Sequence, residues 1–309
     1  MDKILLSAPM AGITDKPFRL MMRKFTSLPL YTEMVGISTL YHNHPQTRKM
    51  LKISDEKDII VQLVGIEEKY MIHAAKEAVF YGAKAIDINM GCPVKKLITN
   101  GSGAALLKSP DTAARLVEAV KKEVSVPVFV KTRIGWDENK INVVEFAKKI
   151  EQAGADRITV HGRTKEQGYS GKVNQEAILN VKEAVSIPVI ANGDIVSKET
   201  AEEMLLKTKA DGVMVARGLL GRPWLLNQIK GENIPSYPIK DIVLEHLELM
   251  LSYYGAHGLI AMRKHLAWYA STFEGKASFC NQVFAQKEID KVKKIIKDFF
   301  KETKIEEIR

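Results

Sequence analysis

Cys92 is the side chain of this sequence best placed to donate a proton, because it lies in the segment Asn89-Met90-Gly91-Cys92-Pro93. A thiol with an ordinary pKa near ~8.5 is mostly protonated at neutral pH, as a general acid must be. The alternative interpretation is a small buried residue, which is the role expected of Cys280 between Phe279 and Val283. The two cysteines are far apart in sequence and predict neither a disulfide framework nor a metal cluster.

Each of a series of short β-rich runs in the first three quarters of the chain ends in polar or glycine-rich groups. In order they are Pro9-Met10-Ala11-Gly12, Glu33-Met34, Gln62, the Cys92 segment, Lys131-Thr132-Arg133, His161-Gly162-Arg163, Asn192-Gly193-Asp194 and Arg217-Gly218. Any one of them could be a solvated rim residue. Because all would meet at the carboxyl ends of the strands of a parallel barrel, together they predict a functional pocket.

The last two of these groups indicate an anionic ligand. Asn192-Gly193-Asp194 and Ala216-Arg217-Gly218, the latter followed by an expected short helix at Leu219 to Trp224, can direct backbone N–H groups and a guanidinium at a phosphate. Lys131 and Gln62 could pair with the polar edge of an isoalloxazine ring, since they offer a positive charge and an amide donor and acceptor. FMN and a sugar phosphate both fit these residues.

Eight β-rich runs must position these groups. They are Ile4 to Ala8, Leu30 to Met34, Ile59 to Val64, Ala85 to Met90, Val126 to Thr132, Arg157 to His161, Ile187 to Asn192 and Gly212 to Ala216. The segments between them have apolar residues at three- and four-residue spacing and predict helices, among them Glu67 to Tyr81, Asp111 to Glu123, Val143 to Ala153 and Lys198 to Lys207. Eight strand–helix units in about 230 residues favour an α/β fold of the TIM (β/α)8 barrel type over an open doubly wound sheet.

A change of pattern near Gly231 to Pro238 predicts a domain boundary, because Gly, Asn, Pro and Ser accumulate there. Beyond it, Ile239 to Tyr254, Leu259 to Phe273 and Ile289 to Lys301 have helical spacing and no strand alternation. We therefore expect a catalytic barrel over residues 1–235 and a small, C-terminal all-α helical domain over residues 236–309.

The formal net charge of +9 favours a polyanionic partner, although a solvated surface rich in Lys and Glu would also explain it.

No apolar run approaches the ~18 residues that span a bilayer, and the start of the chain is too short for a signal-peptide core. We expect no membrane association and a cytoplasmic location. His42 and His44 lack a carboxylate or cysteine partner at metal-ligand spacing, so no metal is expected.

Ten segments in the same order carry a family resemblance over almost the whole chain. They are APMAGIT from Ala8, TEMV from Thr32, VQLVG from Val61, DINMGCP from Asp87, NGSGAALL from Asn100, VKTRIG from Val130, TVHGRT from Thr159, ANGDI from Ala191, MVARGLLGRPW from Met214 and MRKHLAWY from Met262. Together they resemble the tRNA-dihydrouridine synthase family, in its bacterial FMN-dependent type. The pairing of DINMGCP with NGSGAALL is especially specific.

The resemblance implies FMN-binding residues at the barrel mouth: Pro9, Met10, Ala11, Gln62, Lys131, His161, Asn192, Gly193, Asp194, Ala216 and Arg217, with Met34 lining the pocket. It also implies that Asn89, Arg133 and Arg163 face the substrate base or its phosphate, and that Cys92 is catalytic. The implied partners are tRNA, contacted in part by residues 236–309, and NADPH or NADH as electron donor. We expect a monomer.

The implied activity is the reduction of the C5=C6 bond of specific uridines in tRNA, in which flavin N5 supplies a hydride to C6 and Cys92 a proton to C5. One alternative is a flavin-dependent dehydrogenase of a free pyrimidine, of the dihydroorotate or dihydropyrimidine type. The helical C-terminal region and the basic charge distinguish the two, because a free base needs neither. A non-enzymatic RNA-binding protein is a second alternative, but it leaves the convergence of polar residues unexplained.

Overall fold

The computed structural model describes residues 3–307, which form two compact units. The first comprises residues 3–15 and Leu28–Arg217, and the second comprises Lys16–Ser27 and residues 218–307. Among the described residues, no helix is both long and apolar enough to cross a membrane.

The first unit is built on a sheet of eight parallel strands. They are β1 (Ile4–Ser7), β2 (Leu30–Gly36), β3 (Ile59–Val64), β4 (Ala85–Met90), β5 (Val128–Arg133), β6 (Arg157–His161), β7 (Val189–Asn192) and β8 (Gly212–Val215). Every residue of β3 and β4 is buried, as expected of parallel strands covered on both faces. All eight predicted strands are confirmed, and their ends lie within two residues of the predicted bounds.

The strand order identifies the sheet as a TIM barrel. Around the sheet the strands follow β1-β8-β7-β6-β5-β4-β3-β2, so each strand is next to its neighbour in sequence and the order never reverses. A doubly wound sheet would reverse its order at a switch point. The two ends of the order, β1 and β2, lie side by side, since the amide of Tyr31 donates to Ser7 Oγ at 3.3 Å. The predicted barrel is confirmed and the doubly wound alternative is wrong.

Helices connect the strands of the barrel. They are Ile37–Tyr41, Pro45–Met50, Glu68–Phe80, Lys95–Thr99, Pro110–Glu123, Val143–Gln152, Gln175–Ala184 and Lys198–Thr208, with 3-10 turns at Gly103–Lys108 and Arg217–Leu219. The four helices predicted between strands are confirmed. The helix predicted at Leu219 to Trp224 has the wrong bounds: a 3-10 turn ends at Leu219 and an α-helix begins only at Leu225. Gly221 separates the two at φ +75°, outside the helical region.

The second unit is helical. Its α-helices are Lys16–Arg23, Leu225–Lys230, Ile239–Tyr254, His257–Tyr269, Lys276–Ala285 and Ile289–Phe300, followed by a 3-10 turn at Ile305–Glu307. Met21 and Phe25 share one buried cluster with Trp224 and Leu247, so the segments 16–27 and 218–235 belong with the predicted helical region. Cys280 packs against this cluster, as expected of a packing residue. The three helices predicted beyond residue 238 are confirmed, although the second spans His257–Tyr269 and does not extend to Phe273. The helix Lys276–Ala285 was not predicted.

Candidate active site at the carboxyl ends of the strands

The strand register brings the predicted site residues together. At the ends of adjacent strands, Met34 pairs with Gln62 and Asn89 pairs with Lys131. Further round the barrel, Arg133, His161 and Asn192 occupy neighbouring register positions on β5, β6 and β7. Because side chains at one level of a parallel barrel meet at its mouth, residues more than 100 positions apart in sequence form one site.

A chain of side-chain amides leads from the barrel interior to Cys92. Gln62 is fully buried and donates through Nε2 to Asp87 Oδ2 at 2.6 Å, while its Oε1 accepts from Asn89 Nδ2 at 2.8 Å. Asn89 Oδ1 in turn accepts from the backbone amides of Gly91 at 3.2 Å and Cys92 at 2.9 Å. The position of the Cys92 loop is therefore fixed by side chains on β3 and β4.

Backbone contacts from the NGSGAALL segment complete the surroundings of Cys92. The amide of Ala104 donates to the Cys92 carbonyl at 3.0 Å. Gly103 has φ +61°, and a Cβ atom there would lie 2.7 Å from the same carbonyl, so the close approach requires glycine. Burial raises the pKa of the Cys92 thiol above its ordinary value, which keeps it protonated at neutral pH. The two motifs thus form one structural element around a neutral thiol.

Arg133 holds two loops of the mouth together. Its side chain is 2% exposed and donates to the carbonyls of Gly91 at 2.8 Å, Thr164 at 2.9 Å and Gly168 at 2.7 Å. These bonds tie the Cys92 loop to the loop that follows β6. In the described structure, these hydrogen bonds of Arg133 all go to backbone carbonyl groups of the two loops.

Lys131 and His161 give the mouth its electrostatic character. Lys131 Nζ donates to Asn192 Oδ1 at 2.9 Å, and burial together with the neighbouring Arg133 lowers its pKa to about 8. Burial and the nearby cations Lys131, Arg133, Arg163 and Arg217 lower the pKa of His161 far below its usual range, so this ring is neutral. The neutral ring of His161 can donate one hydrogen bond and accept another from a ligand, whereas Lys131 can supply positive charge.

The loop after β7 offers backbone donors to an anion. Gly193 and Asp194 both have positive φ, +134° and +50°. Within residues 3–307, no hydrogen-bond acceptor is found for the amide group of either residue. Backbone N–H groups in such left-handed conformations form concave anion sites.

Arg163 and Arg217 meet at the Asp194 carboxylate. Arg163 is 3% exposed, pairs with both oxygens of Asp194 and also donates to the carbonyl of Gly171 at 2.6 Å. The exposed Arg217 donates to Asp194 Oδ1 at 3.1 Å. Both guanidinium groups hold the pKa of Asp194 below its usual value. In this structure Arg163 supports the loop, and Arg217 is the more accessible cation.

The turn after β1 contributes the remaining predicted residues. The Met10 amide donates to Thr14 Oγ1 at 3.0 Å, and the Gly12 amide donates to the carboxylate of Glu33 on β2. Pro9 and Met10 are half-buried, and so are Met34 on β2 and Ala216 after β8, whereas Ala11 is exposed. These residues leave partly exposed apolar surface at the mouth.

Two residues of the site, Asp87 and Tyr169, were not predicted from the sequence. Asp87 lies within the buried strand β4. The signal that could have identified it is a charged residue in an otherwise apolar run, because a buried charge needs a polar partner inside the barrel. Tyr169 was hidden in a loop, yet its ring is 60% exposed and lies 5.5 Å and 5.6 Å from the guanidinium carbons of Arg133 and Arg217. Its only sequence signal is an aromatic residue between glycines and polar residues.

The fold and the site together define a TIM-barrel enzyme with a neutral thiol beside a cation-rich mouth. The family described as dihydrouridine synthase matches residues 6–304. The chain therefore belongs to the dihydrouridine synthase family, a family of flavin-dependent oxidoreductases, which confirms the family predicted from the sequence. Among the described residues, no group of three or more His, Cys, Asp and Glu is arranged to hold a metal ion.

Relatives resemble the chain over most of its length. A probable tRNA-dihydrouridine synthase 1 of Synechocystis is 42% identical over 301 residues, which cover 94% of this chain and 85% of the relative. The tRNA-dihydrouridine synthase B of Pseudomonas aeruginosa is 38% identical over 308 residues, covering 96% and 93%.

Two solved structures share the fold at low sequence identity. The histamine dehydrogenase of Rhizobium sp. 4-9 aligns with a TM-score of 0.57 at 13% identity, covering 80% of this chain and 49% of that one. A mandelate oxidase structure aligns with a TM-score of 0.51 at 18% identity, covering 74% and 69%. At these identities the likeness extends to the barrel fold alone.

Proposed function

We propose that this protein is a tRNA-dihydrouridine synthase that holds FMN at the barrel mouth and takes electrons from NADPH or NADH. The observation that carries the proposal is the placement of a half-buried, protonated Cys92 at a mouth where Lys131, Arg163 and Arg217 converge. Family membership and the names of its relatives support tRNA as the substrate. The free-pyrimidine alternative is not favoured by any of these relatives.

The residues present fit FMN. The unpaired amides of Gly193 and Asp194, within the described chain, together with Arg217, suit its phosphate. Lys131, whose pKa burial lowers to about 8, donates to a neutral amide oxygen, and a negatively charged ring edge would suit its ammonium group better. Pro9, Met10, Ala11, Met34 and Ala216 offer apolar surface beside these polar groups. His161 adds a neutral donor and acceptor, whereas Gln62 is fully buried and its amide is bonded to Asp87 and Asn89.

When bound, the flavin would supply the hydride that reaches C6 of the uracil ring. The protein's own contribution would be the proton for C5, which Cys92 donates from its neutral thiol. Asn89 would hold the Cys92 loop in place and present its remaining amide hydrogen to the base. Arg133 would fix the carbonyl of Gly91 and prevent the loop from folding away from the substrate.

The tRNA would approach a surface that favours polyanions, given the formal net charge of +9. The predicted role of Arg133 and Arg163 on the substrate side of the site stays a prediction. Both residues would act through the loops that they support. The role of residues 236–309 in tRNA binding, the cytoplasmic location and the monomeric state also stay predictions.

The test is nucleoside mass spectrometry of unmodified tRNA after incubation with the protein, FMN and NADPH. We expect the two-hydrogen mass gain of dihydrouridine from the wild type and from the matched control Cys280→Ala. Cys92→Ala should lose about 10²-fold or more in rate, the contribution of a general acid, while still binding FMN. Full turnover by Cys92→Ala would remove the acid role. A yellow, reducible protein that reduces free uracil but not tRNA would establish the free-pyrimidine alternative.

A further inference from the structure

The buried carboxylate of Asp87 begins the chain of hydrogen bonds that ends at Cys92. Asp87 is fully buried on β4, and its Oδ2 accepts from Gln62 Nε2 at 2.6 Å. Gln62 Oε1 accepts from Asn89 Nδ2 at 2.8 Å, and Asn89 Oδ1 accepts from the amides of Gly91 and Cys92. Three polar side chains thus connect the barrel interior to the proposed acid.

The direction of each bond follows from the first. An ionised carboxylate only accepts hydrogen bonds, so Gln62 must turn its NH2 group towards Asp87 and its oxygen towards Asn89. Asn89 must then turn its own NH2 group towards Gln62 and its oxygen towards the Cys92 loop. With either amide reversed, two donors or two acceptors would face each other in a buried site, which is costly.

We propose that Asp87 is a positioning residue for Cys92: it sets the orientation of the Gln62 and Asn89 amides and thereby holds the Cys92 loop closed. This role rests on the proposed function of Cys92 as the acid. Burial raises the pKa of Asp87 to about 6, so its carboxylate is ionised at neutral pH, and Arg157 and Lys131 favour this ionised form. Its second oxygen, Oδ1, has no hydrogen-bond partner among the described residues. Among the described residues, the bond from Gln62 is therefore the one hydrogen-bonded route from the Asp87 carboxylate towards the Cys92 loop.

The test uses the reactivity of Cys92 and needs no turnover. The protein is treated with iodoacetamide in excess FMN, bound flavin is quantified, and the alkylation of each cysteine is followed by peptide mass spectrometry. Cys280, which packs in the helical unit, is the control within the same molecule. Asp87→Leu removes the acceptor, so the loop should open and Cys92 should react about fivefold faster, the effect expected from losing one net hydrogen bond.

A compensating change distinguishes orientation from packing. In the double variant Asp87→Leu with Gln62→Glu, the carboxylate introduced on β3 accepts from Asn89 without needing Asp87, so Cys92 should regain its wild-type alkylation rate. If Asp87→Leu does not fold, Gln62→Met breaks the same chain one bond nearer the mouth and should give the same acceleration.

Unchanged Cys92 alkylation in folded Asp87→Leu, or in Gln62→Met, would overturn the inference. A rate that stays high in the double variant would also overturn it, because packing alone would then explain the effect. If the alkylation results agree but the wild type makes no dihydrouridine, the positioning geometry stands and the proposed function fails. If both hold, Asp87→Leu should slow dihydrouridine formation while flavin reduction by NADPH stays unchanged.

Discussion

Lys131 and Asn192 are joined across the barrel mouth by a hydrogen bond of 2.9 Å from Lys131 Nζ to Asn192 Oδ1, although they lie on β5 and β7. Asn192 is itself held by a bond from its Nδ2 to the Met214 carbonyl at 2.8 Å on β8. The ammonium group is therefore fixed in position before any ligand binds, which is the condition for effective electrostatic stabilisation.

Lys131→Met should weaken FMN binding by about tenfold or more, because a hydrogen bond to a charged group contributes about 1.5–3 kcal/mol. Titration of the flavin-free protein with FMN, followed by flavin fluorescence, measures the change. The control is Lys207→Met, which removes an equally positive charge from an exposed helix surface. Equal affinity in the Lys131 and Lys207 variants would contradict the assignment.

The uridine-reducing step should depend on pH through Cys92. Because burial raises the pKa of this thiol, the rate should stay constant through neutral pH and decline only above the ordinary thiol pKa near ~8.5. Cys92→Ser should have a lower rate and lose the part of the decline that belongs to the thiol, since a hydroxyl stays protonated; a decline that begins near pH 8 in this variant would report Lys131. Single-turnover measurements of flavin reoxidation by tRNA, made between about pH 6 and pH 10 on the wild type and the Ser variant, test this pH dependence. An identical decline in the Ser variant would assign the titration to another group.

Gly193→Ala should destabilise the protein and weaken FMN binding. The residue has φ +134°, and an added Cβ would lie 2.7 Å from Val173 Cγ2. We expect a loss of about 1–3 kcal/mol in the free energy of unfolding, measured by chemical denaturation. Gly82→Ala is the matched control: it has φ +100° with nothing within 4 Å of the added atom, so it has the backbone strain without the clash. A larger loss in the Gly82 variant would be inconsistent with this explanation.

Tyr169→Ala should raise the KM for tRNA by about 5- to 100-fold with little change in kcat, because stacking of a base on an aromatic ring contributes about 1–3 kcal/mol. The ring is 60% exposed between Arg133 and Arg217 and is available to an unstacked nucleotide. Tyr169→Phe should retain most of the affinity, and Phe80→Ala, which removes another exposed ring, should behave as the wild type. A lowered kcat with unchanged KM would exclude a stacking role.

His246 and His265 should make the protein sensitive to acid. Burial lowers the pKa of His246 to about 3 and also lowers that of His265, so the folded state binds fewer protons than the unfolded chain, whose histidines have a pKa near ~6.5. Stability is therefore retained above pH ~6.5 and decreases as the pH falls towards 3, by up to about 1.4 kcal/mol per pH unit for each residue.

His265→Phe tests this dependence. Neither ring nitrogen of His265 has a hydrogen-bond partner among the described residues, so the substitution removes the titrating group without breaking a hydrogen bond there. Denaturation at pH 7 and at pH 5 should show a smaller loss of stability in the variant than in the wild type. His44→Phe, at an exposed position, serves as the control and should lose as much stability as the wild type. Equal losses in the His265 variant and the wild type would show that this ring is not the sensitive group.

The sequence by itself determined the strand count, the barrel and the family, because these depend on local periodicity and on contiguous motifs. Short apolar runs specify strands such as β3 and β4 wherever they pack, and DINMGCP places Cys92 directly after a strand. What the sequence did not predict is structure that depends on tertiary packing. Lys16–Arg23 joins the helical unit only because Met21 and Phe25 complete its core.

Only the tertiary structure decided which polar groups face each other. The bonds from Gln62 to Asp87, from Lys131 to Asn192 and from Arg163 to Asp194 join residues 25, 61 and 31 positions apart. No local pattern encodes these pairs, since barrel closure and strand register set the distances between side chains on different strands. Burial also follows from closure, so the protonation of Cys92, Lys131 and His161 became defined only when the barrel enclosed them.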